Sequence, residues 1–202
     1  MRAPISVVIP VLNAEAVLAG CAASLIEGIN AGLIRELIVS DGGSSDDTRD
    51  IAEELGARWI SGPPSRGGQL RRGCAEARGE WMLILHADTQ LEAGWSACVA
   101  AHLGLSTAGY FRLRFGSTGR AARFVAGWAN LRSRIFGLPY GDQGLLISRT
   151  LYNAVGGYQD MPLMEDVALA RALRGQWRAL QACAVTSAEK YERGGWVRRG
   201  GR

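Results

Sequence analysis

The sequence predicts an α/β fold: a mostly parallel, doubly wound sheet with helices on both of its faces. Strand-like and helix-like segments alternate through the first hundred residues, as in proteins built from βα units. Residues 81–85 are all apolar, and continuous apolar strands belong to parallel sheets that are covered on both sides. His86, Asp88 and Thr89 follow at once. Because ligands of such sheets bind beyond the carboxyl ends of the strands, we expect the binding site here.

The elements of the first half follow from two periodicities. Short apolar runs bounded by Pro, Gly or Asn predict strands, and apolar residues three or four positions apart predict helices. The predicted strands are residues 5–11, 36–40, 58–61 and 81–85, and the predicted helices are residues 15–29, 47–55, 68–77 and 95–103. Acidic and hydroxyl residues at 41–48 suit the start of the second helix, because they cap free N–H groups and complement the helix dipole.

The second half begins a different layer. Residues 110–115 alternate apolar side chains with arginine, which predicts a half-exposed strand. Residues 120–136 predict an amphipathic helix whose apolar side is formed by Ala121, Val125, Trp128, Leu131 and Ile135. We expect this side to pack on the core, and contact with a membrane surface is the alternative. A loop and strand at 138–148, helices at 149–155 and 164–173, and a strand at 177–186 complete the prediction.

The distribution of charge argues against a nucleic-acid partner. The 202 residues carry a net charge of +4. Residues 189–202 contain five basic and two acidic residues, a net +3, so the other 188 residues carry only +1. A nucleic-acid-binding domain has a basic face, whereas most of this excess lies in a basic C-terminal tail, which suits contact with an anionic membrane.

Three further features narrow the class of protein. Lys190 is the only lysine, which excludes a phosphate-loop lysine or a Schiff base in the body of the chain. The four cysteines are scattered without metal-ligand spacing, so we expect buried thiols. No apolar stretch is long enough to span a bilayer and the first residues do not have the pattern of a signal peptide, so we expect a cytoplasmic protein.

Acidic residues lie where predicted strands end or where loops enter helices. They are Asp41, Asp88, Asp142, and the neighbours Glu165 and Asp166. A carboxylate just past a buried strand is poorly solvated unless a cation meets it, and a divalent metal that carries a phosphate is a common partner. For each acid alone a simpler role stays open, since Asp88 and Asp142 could cap a helix or turn, and Asp166 could be a first-turn acid favoured by the helix dipole.

A candidate phosphate-binding group lies at the start of the third predicted helix. Arg66 precedes Gly67 and Gly68 there. An arginine and the free N–H groups of a helix start can both hold phosphate. Phosphate-binding groups and a metal carboxylate near one edge of a sheet indicate a nucleotide-diphosphate site, where a further carboxylate could act as a base on a second substrate.

Four motifs together resemble the family 2 glycosyltransferases, which have the GT-A fold. They are residues 8–13 (VIPVLN), 39–48 (VSDGGSSDDT), 86–89 (HADT) and 164–166 (MED). Their order and spacing cover nearly the whole chain. The HADT motif, the GDQG motif at 141–144 and the LMEDV motif at 163–167 are most similar to small bacterial transferases named for neighbouring radical-enzyme, selenium or arsenosugar genes.

The resemblance implies a donor site in the first half, residues 1–105. Pro10 and Asn13 match the loop that contacts the nucleotide, and Asp41 matches the acid that contacts the nucleobase or ribose. Arg66 lies where the family contacts the nucleobase or diphosphate. The implied substrate is a nucleotide-diphosphate sugar.

The resemblance also implies a metal cofactor, Mn²⁺ or Mg²⁺, on the donor diphosphate. Asp88 matches the last Asp of the family's D-x-D motif and would hold the metal. His86 stands in place of the first Asp, and we expect it to serve the ribose or to form hydrogen bonds within the strand. His102 is the only other histidine, so the further metal ligand that many relatives place after the E-D motif is not identified.

Residues 106–188 are then the acceptor-binding half of the same domain. Asp166 matches the general base that deprotonates the acceptor hydroxyl in an inverting displacement, with Glu165 beside it. Asp142 and Gln143 are expected on the acceptor side. The resemblance does not identify the acceptor.

Two alternatives are kept beside the transferase. A GT-A nucleotidyltransferase would open with a basic, glycine-rich loop after the first strand, but residues 10–15 read PVLNAE. A degenerate GT-A module would bind a nucleotide, or an anionic membrane at its periphery, without catalysis. His86 and the missing downstream histidine favour such a module, whereas the intact acids Asp41, Asp88, Glu165 and Asp166 disfavour it.

Overall fold

The computed structural model describes residues 2–117 and 119–187, which build one sheet with helices on both faces. The strands in this part of the chain are β1 (Ile5–Val11), β2 (Ile34–Asp41), β3 (Arg58–Ser61), β4 (Trp81–Ile84), β5 (Thr89–Leu91), β6 (Ala108–Phe115), β7 (Leu145–Ser148) and β8 (Trp177–Thr186). The helices are α1 (Leu18–Ala23), α2 (Ile26–Asn30), α3 (Thr48–Glu54), α4 (Arg66–Glu76), α5 (Trp95–His102), α6 (Arg120–Phe136), α7 (Arg149–Ala154) and α8 (Glu165–Ala172).

The sheet has the strand order β3-β2-β1-β4-β7-β6-β8-β5. The strands β3, β2, β1 and β4 are parallel to one another, as predicted for the first half. β7 then runs antiparallel to β4 and β6, while β8 is parallel to β6 and antiparallel to β5. The carboxyl ends of β1, β2 and β4 therefore meet at one edge, which is where the parallel arrangement predicts a binding site.

Alternate residues of β1 pack on opposite faces of the sheet, as the pleat of a strand requires. Val7 belongs to an apolar cluster with residues of α1 and α5, such as Leu18 and Val99. Val8 belongs to a second cluster with residues of α4 and α8, such as Leu70. The predicted helix layers on both faces are thus confirmed.

Two elements differ from the sequence prediction. The helix expected at 15–29 is divided into α1 and α2, and at the break the Ser24 hydroxyl donates a hydrogen bond to the Cys21 carbonyl at 2.7 Å. β5 was not predicted, because its three residues are too few to show an alternating pattern.

The prediction for the buried side of α6 was wrong. The side chains buried there are small, those of Ala122, Ala126, Ala129 and Ser133. Of the predicted apolar side, Trp128, Leu131 and Ile135 are 48%, 46% and 61% exposed. The large side chains at this contact come from β6, namely Leu113 and Phe115, so the helix needs small residues to approach the strand.

Asn130 fixes the position of α6 against β6. Its side-chain amide donates to the carbonyl of Leu113 at 3.0 Å and accepts from the N–H of the same residue at 2.8 Å. A half-buried amide that meets both backbone groups of one residue in this way specifies one register of helix on strand. None of the described helices has the length and apolar content needed to cross a membrane.

Two glycines in helices, one packed against the sheet and one facing open space, allow a test of the packing between α4 and β1. A Cβ at Gly73 of α4 would lie 2.5 Å from Val8 Cγ1, whereas a Cβ at Gly127 of α6 would meet nothing within 4 Å. We expect Gly73→Ala to destabilise the protein by about 1–3 kcal/mol because it overpacks the helix on β1. Gly127→Ala, the matched control, should stabilise it by roughly 0.5–1 kcal/mol. Urea unfolding of both variants measures the difference, and equal effects would contradict this packing.

Candidate active site

The loops that follow β1 and β2 are tied together by reciprocal hydrogen bonds. The backbone N–H of Asn13 donates to Ser44 Oγ at 2.9 Å, and Asn13 Oδ1 accepts from the N–H of Ser45 at 2.9 Å. The N–H of Ala14 donates to the buried Thr48 hydroxyl at 2.7 Å. Asn13 adopts a left-handed φ of 50°, which asparagine tolerates better than most residues. The segment predicted to contact a nucleotide is therefore rigid.

Asp41 lies at the end of β2, and its carboxylate holds the loop that follows. Oδ2 accepts from the N–H of Gly43 at 2.8 Å, and Oδ1 accepts from the N–H and the hydroxyl of Ser44 at 2.9 and 2.6 Å. The residue is 3% exposed. Two carboxylate oxygens offer about four acceptor positions, so three internal bonds leave roughly one for a ligand.

Gln69 and Arg72 of α4 brace the same strand ends, and the sequence reasoning missed both. Gln69 Nε2 donates to the carbonyls of Val11 and Ser40, at 2.6 and 3.2 Å. An Arg72 Nη donates to the carbonyl of Asp41 at 3.1 Å. Polar residues on the sheet side of a predicted helix are the available signal, because a buried polar group must find a partner.

The start of α4 does not offer the free N–H groups that we expected. The N–H of Gly67 donates to the carbonyl of Met161 at 2.9 Å, that of Gly68 to Ser65 Oγ at 3.3 Å, and that of Gln69 to the Ser65 carbonyl at 2.7 Å. The expectation of free N–H groups was wrong, because segment 159–161 accepts from Gly67 and Ser65 accepts from Gly68 and Gln69. A Cβ at Gly67 would lie 2.0 Å from the carbonyl oxygen of Gln159.

The side chain of Arg66 faces the acidic pair of α8. Arg66 Nε lies 3.5 Å from Glu165 Oε1. Glu165 is 5% exposed. Burial raises the pKa of the Glu165 carboxyl, the Asp166 charge raises it further, and Arg66 opposes that shift. The structure therefore joins a residue predicted on the donor side to one predicted on the acceptor side.

Beyond β4 the chain turns through His86 and Asp88, both half-buried. A Cβ at Gly141 would lie 2.3 Å from His86 Nε2, so the imidazole packs directly on the Gly141 backbone. The N–H of Ser187 donates to the Asp88 carbonyl at 3.2 Å. These contacts attach the loop after β4 to elements of the second half of the chain.

The carboxylate of Asp142 is poorly stabilised by the residues around it. Its Oδ1 is buried and has no hydrogen-bond partner among the described residues. Burial raises the pKa of its carboxyl to about 6; Arg132 lowers it, and the charges of Asp166 and Asp88 raise it. The charges of Asp166 and Asp88 thus both disfavour the ionised form of Asp142.

Asp166 is held by two backbone N–H groups. Its Oδ2 accepts from Gly141 at 2.8 Å and its Oδ1 accepts from Val167 at 2.7 Å. Met164 just before the acidic pair has a left-handed φ of 68°, a strained conformation for a non-glycine residue. The strain turns the chain abruptly into α8, so that Glu165 and Asp166 occupy its first turn.

Gln143 is fully buried beneath this loop. Its Oε1 accepts from Ser133 Oγ at 2.5 Å and from the N–H of Tyr140 at 3.3 Å. Its Nε2 donates to the carbonyl of Phe111 at 3.2 Å and to Asn130 Oδ1 at 3.3 Å. These four bonds use every donor and acceptor of the Gln143 amide, so this side chain supports segment 138–143. Of the two residues expected on the acceptor side, Asp142 is the one nearer the other acids.

The structure brings most of the predicted residues to one edge of the sheet. A small cavity is lined by His86, Gly141, Glu165, Asp166 and Tyr158, among others. Asp142 directly follows the lining residue Gly141, and Asp88 lies two residues after the lining residue His86. Pro10, Asn13 and Asp41 lie at the neighbouring ends of β1 and β2.

The acids at this edge of the sheet would stabilise a divalent cation, but they do not supply a complete set of ligands for it. A buried carboxylate oxygen without a partner, beside two further carboxylates, would be stabilised by a positive ion. Within the described ranges no group of three or more His, Cys, Asp or Glu side chains is arranged to hold a metal. Mg²⁺ sites commonly use one or two carboxylates together with substrate phosphates and water, which suits Asp88 with Asp142.

The fold is the predicted GT-A arrangement, and a comparison of the sequence with protein-family models confirms the predicted family. Residues 6–125 match the model of glycosyl transferase family 2. The chain therefore belongs to the glycosyl transferase family 2.

Two curated relatives come from Mycobacterium tuberculosis. A PGL/p-HBAD biosynthesis glycosyltransferase is 41% identical over 113 residues, which cover 52% of this chain and 43% of the relative. A glucosyl-3-phosphoglycerate synthase is 38% identical over 96 residues, which cover 42% of this chain and 28% of the relative. The chain thus spans less than half the length of these relatives.

Solved structures of low identity share the fold. Glucosyl-3-phosphoglycerate synthase from Mycobacterium tuberculosis, in complex with Mn²⁺, UDP and glucosyl-3-phosphoglycerate, superimposes with a TM-score of 0.61 at 24% identity, covering 92% of this chain and 70% of that one. A mannosyltransferase from Pyrobaculum calidifontis, in complex with GDP-Man and Mn²⁺, gives a TM-score of 0.71 at 17% identity, covering 98% and 61%.

The raised pKa of Asp142 predicts a pH dependence of stability. Folding raises its pKa to about 6, above the value of about 3.9 for an unfolded Asp, so the folded state binds more protons between these values. The free energy of unfolding contributed by this group therefore falls as the pH rises through that window. We expect Asp142→Asn to be more stable than wild type above about pH 6, by on the order of 1 kcal/mol after allowing for partial exposure, and to lose this advantage near about pH 4.

Denaturant titrations in EDTA across that range measure the effect. Asp50→Asn, at an exposed carboxylate in α3, is the control and should follow the wild-type pH profile. A constant difference between wild type and Asp142→Asn at every pH would contradict the assignment.

Proposed function

We propose that this chain carries the donor site and catalytic centre of a glycosyltransferase, which moves a sugar from a nucleotide-diphosphate donor to a hydroxyl group of an acceptor. The observation that carries the proposal is the convergence of acids at one edge of the sheet. Asp166 is bound to the Gly141 N–H, and its charge and that of Asp88 both act on Asp142. A relative named as a glycosyltransferase and another named as a glucosyl-3-phosphoglycerate synthase support the same activity.

The donor nucleotide is placed beyond β1 and β2. The backbone of Pro10–Asn13 and the remaining acceptor position of Asp41 would contact the nucleobase or ribose, since both segments are rigid and end at the same edge. Arg66 would meet the diphosphate with its guanidinium. His86, packed on Gly141, would border the ribose side of the donor.

A divalent metal, Mn²⁺ or Mg²⁺, would be held by Asp88 with Asp142 beside it. When bound, such an ion offsets negative charge on the leaving diphosphate. The structural relatives carry Mn²⁺ in complexes with UDP and GDP-Man. The partnerless Oδ1 of Asp142 supports this placement, because the buried oxygen would gain a positive neighbour.

Asp166 is the proposed general base of an inverting displacement. Its two internal hydrogen bonds leave lone pairs on both oxygens for the proton of the acceptor hydroxyl. As that proton moves to Asp166, the acceptor oxygen forms a bond to the anomeric carbon and the bond from this carbon to the diphosphate oxygen breaks. Glu165, paired with Arg66, would fix the position of the arginine against the diphosphate.

Calorimetric titration with UDP, GDP, CDP and dTDP, with and without Mn²⁺, tests the donor site. We expect one nucleotide to bind in a metal-dependent manner and Asp88→Ala to lose that dependence, because the carboxylate nearest the end of β4 is removed. Asp50→Ala, at an exposed acid of α3, should bind as wild type does. A folded protein that binds none of the four would favour a module without transferase activity.

Replacement of the proposed base separates catalysis from donor binding. Asp166→Asn keeps the size of the side chain and the hydrogen-bond acceptor for the Gly141 N–H but cannot take a proton. We expect nucleotide binding to persist while release of nucleoside diphosphate from UDP-glucose or GDP-mannose, with water or a panel of sugar and glycerate acceptors, falls by about 10²-fold or more. Turnover of Asp166→Asn at the wild-type rate would contradict the assignment of Asp166 as the general base. The anomeric configuration of the product, measured by NMR, tests whether the displacement inverts.

A further inference from the structure

Helix α6 presents large apolar side chains on the side that faces away from the protein. Its buried side consists of small residues that pack on β6. The opposite side exposes Phe124 (77%), Trp128 (48%), Leu131 (46%) and Ile135 (61%). At 3.6 residues per turn these four lie within about 60° of one another and along about 17 Å of the helix axis. We call them the α6 stripe. A contiguous apolar surface of this kind marks a site of interaction.

A broad open groove of about 1400 Å³ adjoins the C-terminal half of the stripe. Leu131 and Ile135 contribute to both surfaces. The groove is also lined by five arginines: Arg112, Arg134, Arg171, Arg174 and Arg178. No acidic residue is among the described residues that line it, and none of the five arginines forms an ion pair with a described residue. We call this surface the arginine groove.

We propose that the α6 stripe and the arginine groove together dock this protein on an anionic lipid bilayer. Aromatic and aliphatic side chains on an exposed helix enter the boundary between headgroups and acyl chains, while arginines beside them bind lipid phosphates. Guanidinium groups suit this position because their planar N–H donors match phosphate oxygens. The apolar stripe thus complements the acyl chains, and the arginines without ion-pair partners among the described residues complement the anionic headgroups.

The signs of the charges disfavour the other occupants. A second copy of the chain placed on the same face would bring its own arginine groove against this one. The segment 189–202 carries five basic and two acidic residues, so it also repeats the positive sign. An anionic surface is the occupant that neutralises the groove.

The docking surface is connected to the candidate active site but does not depend on the proposed function. α6 ends at Phe136, and segment 138–143 leads from it to the Gly141 N–H that holds Asp166. Arg132 of α6 stacks on Tyr140 in this segment, with its guanidinium carbon 3.4 Å from the ring centroid. Lipid binding can be measured without any nucleotide or acceptor, so its failure and the failure of the transferase assignment are separate results.

Co-sedimentation with sucrose-loaded vesicles tests the proposal on the full chain. We expect binding to vesicles of phosphatidylcholine with phosphatidylglycerol and little binding to phosphatidylcholine alone, with the difference reduced by added salt. Trp128→Ser should weaken the binding at least about fivefold by removing apolar contact, and Arg174→Glu should weaken it at least as much by reversing a charge of the groove.

Each variant has a matched control elsewhere on the surface. Leu163→Ser changes an apolar residue that is 74% exposed and lies outside the stripe. Arg49→Glu reverses a charge in α3, where the Arg49 side chain is 65% exposed. Both controls should bind anionic vesicles as wild type does. Equal losses of binding in the variants and the controls would overturn the proposal. Wild-type binding by both Trp128→Ser and Arg174→Glu would overturn it as well, and would place any lipid contact in residues 189–202.

A second measurement uses a variant that keeps the apolar stripe. Trp128→Phe retains an aromatic side chain, so it should bind anionic vesicles nearly as wild type does. If Trp128 enters the bilayer, brominated phosphatidylglycerol will quench the tryptophan fluorescence of wild type more than that of Trp128→Phe. Equal quenching of the two proteins, or dimerisation in sedimentation equilibrium that Trp128→Ser abolishes, would contradict docking on lipid.

Discussion

The hydrogen bond from the Gly141 N–H to Asp166 Oδ2 joins the two parts of the candidate site. Gly141 belongs to the segment between α6 and β7, and Asp166 lies in the first turn of α8. Since a Cβ at Gly141 would collide with His86 Nε2, the same residue also sets how closely the loop after β4 approaches. Only a residue without a side chain allows both contacts. The relative placement of the histidine and the acid therefore rests on one glycine.

Support for this contact comes from beneath the site. Gln143 is fully buried, and its amide links α6, β6 and the backbone of Tyr140 through four hydrogen bonds. Asn130 continues the network to both backbone groups of Leu113. A buried amide with every position satisfied, as in Gln143, specifies one arrangement and resists displacement.

The parts of the structure that the sequence predicts are those with a local signal. The parallel strands follow from apolar runs, and the acids follow from motifs at the ends of those strands. The buried side of α6 could not be predicted from periodicity, because it depends on the size of Leu113 and Phe115 in a distant strand. Nor could the loss of the free N–H group of Gly67, which depends on segment 159–161 reaching across to α4.

The small net charge of the chain conceals a strong separation of charge. Residues 1–188 sum to only +1, yet the charges of Asp166 and Asp88 raise the pKa of Asp142 at the edge of the sheet, while arginines without ion-pair partners among the described residues gather in the groove beside α6. None of the five arginines of the groove forms an ion pair with a described acidic residue. Clusters of one sign that are left without partners in the folded protein are stabilised by external ions or ligands of the opposite sign. This separation of charge agrees with the two proposals, a cation bound at one surface and an anionic lipid bilayer at the other.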